Sequence, residues 1–159
     1  MILAFAFGSP NTTVPNQRIL FGINNLENKY AQSKLFTDLF SARPTPITIR
    51  NAVEYLKSGN AVGQIYVVAA PPHQARVLRD LSKIAKMEGV DLPHVTSFEF
   101  PTWRYSPWFS KDSTQWWTRN RFYWHLYDFF VRLIPFKIYL KMTEKETRTD
   151  ARGPKLFKR

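Results

Sequence analysis

Residues 64–81 read QIYVVAAPPHQARVLRDL. Ile65 to Ala70 is a continuous apolar run, the pattern of a strand buried on both faces. Pro71-Pro72 makes a tight turn, and a helix opens on His73 and Arg76. In open α/β sheets, ligands bind outside the carboxyl ends of the strands. The turn therefore sets an imidazole and a guanidinium where such a fold keeps its chemistry.

The same grammar extends along the chain. Ile2 to Phe7 is a second apolar run, stopped by Gly8-Ser9-Pro10-Asn11. A helix is predicted over 17–33, interrupted by Gly22, Asn24 and Asn25. Leu35 to Phe40 reads as a second strand or an extended segment. After the loop 41–46, Thr48 is the expected N-cap of a helix that runs to about Ser58, with Ile49, Val53 and Leu56 at helical spacing. The helix 73–88 puts Val77, Leu78, Leu81, Ile84 and Ala85 on one face and ends at Gly89. Val95 to Phe100 reads as a last strand. Strands alternating with helices predict a three-layer, Rossmann-like α/β fold with a mostly parallel sheet of four or five strands.

The last third differs in composition. Residues 1–100 hold 10 basic and 7 acidic residues, a charge of +3, whereas residues 101–159 hold 13 and 5, a charge of +8. All five tryptophans lie between Trp103 and Trp124. Such a surface favours anionic partners. A long helix is predicted over 114–134. Phe122, Leu126, Phe129 and Leu133 form an apolar row, with Tyr123, Tyr127, Phe130 and Ile134 beside it. Arg121, His125, Asp128 and Arg132 form the opposite polar row. The apolar rows are wide enough for a helix packed on the sheet, and that reading is favoured. The same pattern also suits a membrane surface. The expected organisation is one domain over 1–142, with 101–142 as a basic aromatic extension packed on it and 143–159 as a flexible basic tail.

Several classes are disfavoured. There are no cysteines, which excludes disulfides, zinc–thiolate sites and cysteine nucleophiles. No apolar run approaches the roughly 18 residues of a membrane span. His73, His94 and His125 are too scattered for a metal motif, so no metal ligands are assigned, and no cofactor is identified. No nucleic-acid motif is present, so nucleic acid is disfavoured as a partner.

The segment Thr45 to Leu81 resembles the YdcF-like family, which includes SanA and ElyC. The resemblance is carried by Thr48-Ile49-Arg50-Asn51-Ala52, by the strand Ile65 to Ala70, and by His73 and Arg76; Ile2 to Gly8 looks like the family's first strand. The family ordinarily has a further strand, a Ser-Gly turn and an acidic residue before the Thr48 helix, and this chain is short there. The resemblance implies a Rossmann-like fold, a phosphorylated or nucleotide-like ligand, and a role linked to the bacterial envelope or its lipid carriers. On that reading His73 is the acid/base group and Arg76 the anion clamp. Thr48 and Asn51 orient the ligand, and Gly8 and Ser9 give it backbone room. The expected location is the cytoplasm, with peripheral contact at the inner membrane face. The competing reading is a non-catalytic module that docks on an anionic membrane or a nucleoprotein through its C-terminal third.

Overall fold

The computed structural model describes residues 1–8, 12–39, 44–100 and 108–150, with 145–150 as backbone. Strand β1 (Ile2–Phe5) is followed by helix α1 (Val14–Lys29), strand β2 (Leu35–Thr37) and helix α2 (Thr45–Lys57). Strand β3 (Gln64–Ala69), helix α3 (Pro71–Glu88) and strand β4 (His94–Ser97) complete the alternation. The four strands pair in the order β2-β1-β3-β4, and all three pairings are parallel. The fold is the expected Rossmann-like α/β arrangement, with four strands.

Period-two alternation divides the core into two layers. Leu3, Phe5, Ile65, Val67 and Ala69 pack with Ile49, Ala52 and Val53 of α2 and with Val77, Leu81 and Ile84 of α3. Ile2, Ala4 and Val68 pack with Ile19, Ile23 and Leu26 of α1. Helix α1 therefore covers one face, and α2 and α3 cover the other. The chain crosses faces between β1 and β3, which makes their carboxyl ends the switch point where a crevice is expected.

Helix boundaries follow local chemistry. Pro44 precedes α2, and Pro46 sits in its first turn. Proline's fixed φ suits a first turn, so the helix opens at Thr45 and not at Thr48. Thr48 is consequently not the N-cap; it lies inside the first turn and is buried. In α3, Pro71 and Pro72 open the helix. Gly89 closes it in the left-handed region at φ 66°, and the Val90 N–H donates to the Ala85 carbonyl at 2.9 Å. Gly22, which weakens α1 as a sequence, is required by its packing. A Cβ there would lie 2.8 Å from Val68 Cγ1 and 3.2 Å from the Phe98 ring.

The C-terminal third departs most from expectation. The single helix over 114–134 is instead a 3-10 turn at Trp116–Thr118 followed by α4 (Arg121–Leu133). Asn120 separates them because its side chain caps α4, accepting the Tyr123 N–H at 3.0 Å. Pro135 breaks the chain, and α5 (Phe136–Asp150) extends helix eight residues past Met142. Leu140 of α5 joins the α2/α3 core.

Candidate functional site

His73 stands in the first turn of α3, at the expected switch point, but it faces inward. Its ring centroid is 5.3 Å from that of Trp124 and 6.2 Å from that of Phe7. Trp124 is fixed by donating its indole N–H to the Pro72 carbonyl at 2.9 Å. His73 is 5 % exposed, and its Nδ1 is buried without a hydrogen-bond partner. Burial, and then the Arg76 charge, lower its pKa to about 3, while the Ala6 backbone works the other way. The imidazole is therefore neutral at neutral pH, and Trp124 lies against it.

Arg76 is equally enclosed. Its Nη2 donates to the Tyr139 hydroxyl at 2.7 Å. Its guanidinium lies over the Tyr127 and Tyr139 rings at 5.1 and 5.4 Å. Asp80 Oδ2 is 3.9 Å from Nε and accepts from the Tyr139 hydroxyl at 3.3 Å. Arg79 donates twice to Asp80 Oδ1, at 3.0 and 2.8 Å. Burial pushes the Asp80 carboxyl above its ordinary range, and its bond to Arg79 and the charges of both arginines pull it back in part. The Arg76 guanidinium thus ties α3 to α4 and α5, instead of standing open as an anion clamp.

The other expected ligand groups do not gather around this pair. Thr48 is buried and Asn51 is half-buried, both on α2. The described contacts of His73 and Arg76 run to Phe7, Trp124, Tyr127, Tyr139 and Asp80, and not to Thr48 or Asn51. Gly8 does supply backbone room, at φ 86°, but the chain itself fills it. A Cβ there would lie 2.7 Å from Ser113 Oγ and 2.8 Å from Thr118 Oγ1. Asn16 holds the same turn, accepting the Phe7 N–H at 2.8 Å and donating to the Gly8 carbonyl at 3.0 Å. Ser9 lies outside the described residues.

Asp38, at the carboxyl end of β2, was missed in the sequence. It is 6 % exposed and accepts the Ala6 N–H at 2.6 Å and the Thr45 hydroxyl at 3.2 Å. Burial raises its pKa to about 7, against three hydrogen bonds that favour the carboxylate. An acidic residue directly after the strand Leu35-Phe36-Thr37 was the available signal. Among the described residues, no group of three His, Asp or Glu side chains could hold a metal ion.

Helix α4 shows the reverse of a core helix. Trp124, Asp128 and Val131 form its buried stripe, at i, i+4 and i+7. Tyr127 is half-buried and stacks on Trp117 at 4.9 Å. The apolar row expected to face inward faces out: Phe122, Phe129, Phe130 and Leu133 are 56–69 % exposed. Tyr123 and Leu126 are also exposed, as are Ile138 and Met142 of α5. Rotation is decided by the fit of Trp124 against Phe7, at 4.8 Å between centroids, and by its bond to Pro72. Asp128, from the expected outward row, follows Trp124 inside and pairs with Arg132 at 2.6 Å.

Comparison with family models, curated proteins and solved structures gives no match.

Proposed function

We propose that this protein is a peripheral docking module that lays α4 and the start of α5 on an anionic lipid surface. The observation that carries this reading is the outward apolar row of α4. Large aromatic side chains at this level of exposure, in contiguous register on one helix, are uncommon on a monomer without a partner. Arg121, Arg132, Lys137 and Lys141 are exposed on the same two helices. An amphipathic helix with aromatic and leucine residues on one side and basic residues beside them suits the headgroup–acyl boundary. Each basic residue near an anionic leaflet contributes about 1 kcal/mol, and each Phe or Leu fully withdrawn from water about 1.5–3 kcal/mol. Among the described residues, no helix is long and apolar enough to cross a membrane, so the contact proposed is interfacial.

The test is co-sedimentation with phosphatidylcholine vesicles, with and without phosphatidylglycerol. The expected result is retention on the anionic vesicles, with loss of retention in the double variant Phe129→Asp, Leu133→Asp. Retention on RNA in place of vesicles would overturn the lipid reading, as would equal retention of the double variant.

A further inference from the structure

We infer that Arg18 and Trp108, beside the start of α1, form a binding site for a small oxyanion of the phosphate class. This rests on different residues from the docking face of α4 and stands independently of it.

Among the described side chains, Arg50 pairs with Glu144, and Arg79 and Arg132 pair with Asp80 and Asp128. Arg76 donates to Tyr139, Arg119 to the Ser113 carbonyl and Arg121 to His125. Arg18 is the exception. It is half-buried, and its Nη1 is buried with no hydrogen-bond partner. No described carboxylate pairs with it. Its guanidinium carbon lies 5.5 Å above the Trp108 ring.

Trp108 is a second, independent observation. Its side chain is 4 % exposed and its ring is held by Phe100 at 4.9 Å. Its indole Nε1 is also buried without a partner. An indole N–H can only donate, and so can a guanidinium. Two buried donors on neighbouring side chains, neither with an acceptor among the described residues, are suited to an acceptor carried by a bound ligand.

The setting selects the kind of acceptor. Helix α1 is 16 residues long, and its N-terminal end carries partial positive charge. Thr13, its N-cap, makes no side-chain capping bond; it is buried, and its Oγ1 is also unpartnered. Water would satisfy the hydrogens but leave the Arg18 charge uncompensated. A tetrahedral oxyanion supplies both acceptors and charge, and the fork of a guanidinium matches phosphate oxygens. The shared chemistry is the phosphate group, whether free or as a monoester.

The experiment follows the indole resonances of the full-length protein by 1H–15N NMR, titrating sodium phosphate and, separately, glycerol phosphate. Sodium chloride at matched ionic strength is the control. Trp108→Phe identifies the Trp108 signal. The expected result is a saturable shift of that signal with at least one phosphate probe, weakened about tenfold or more in Arg18→Gln. The double variant Phe129→Asp, Leu133→Asp is expected to keep the response, which separates this site from the docking face. No saturable shift with either probe overturns the inference, as does an unaltered midpoint in a folded Arg18→Gln.

Discussion

At the carboxyl edge of the sheet, polar side chains are buried. His73 and Asp38 are at most 6 % exposed, and Arg76 and Asp80, further along α3, at most 7 %. On the outer face of α4, large apolar side chains stand in water. The two regions are joined by one residue. Trp124 covers His73 on its inner side and fixes the rotation of α4 on its outer side. The comparison shows that burial follows the partner that fits and not the polarity of a row. The sheet edge received an aromatic plug from the C-terminal third, and closing that edge left the apolar row of α4 outside.

The largest effect is expected from removing the buried Arg76 charge. Arg76→Met takes the guanidinium donor from Tyr139, leaves Asp80 paired with Arg79 alone, and loosens α5. The expected loss is about 3 kcal/mol by urea denaturation. A loss below about 1 kcal/mol would show that the Arg76 network is not what holds the C-terminal helices.

Gly8 tests the plug from the other side. Gly8→Ala combines a left-handed φ with a collision against the Ser113 and Thr118 hydroxyls. An expected cost of about 2 kcal/mol should appear as a lower thermal midpoint. An unchanged midpoint would mean that the segment over Gly8 can lift away freely.

Titration sharpens the buried edge. Asp38 titrates at about 7 in the folded protein against an ordinary 3.8. Folding therefore takes up a proton there, and its contribution to stability falls as pH rises from about 4 to 7. His73 titrates at about 3 against an ordinary 6.5. Folding releases a proton there, and stability falls as pH drops from 6.5 towards 3. Over pH 4–6.5 the two slopes oppose each other. Asp38→Asn removes one of them, so acidification should become more destabilising than in the parent by up to about 1.4 kcal/mol per pH unit. His73→Gln should shift the slope in the opposite direction. Parallel stability–pH curves for parent and variants would contradict the burial of these groups.

Asn120 gives the smallest effect. Asn120→Ala removes the cap of α4, with an expected loss of about 1 kcal/mol. It should also weaken vesicle retention if an ordered α4 is what docks.

The fold was legible because strands and helices each carry their own period. The runs at Ile2 and Ile65, the α3 face and the Gly89 stop are local signals, and all became elements close to their expected bounds. The candidate site was less legible because its fate depended on residues far along the chain. Nothing near His73 signals that Trp124 will cover it, and nothing near Arg76 signals Tyr139, 63 residues away. The proline pair around Thr45 was a local signal that outweighed the cap expected at Thr48. In α4 the periodicity marks a helix, but a helix with two usable faces does not encode which one turns inward.

The most direct test of the docking account uses the absence of cysteine, which allows a single nitroxide label at any chosen position. Phe130→Cys places a label on the outer face of α4, and Lys86→Cys places one on the exposed side of α3. On adding phosphatidylglycerol vesicles, the label at position 130 should gain collisions with oxygen and lose them with a water-soluble nickel chelate, while the label at position 86 stays unchanged. If the protein sediments with the vesicles while the label at position 130 remains accessible to the chelate, α4 is not the docking surface.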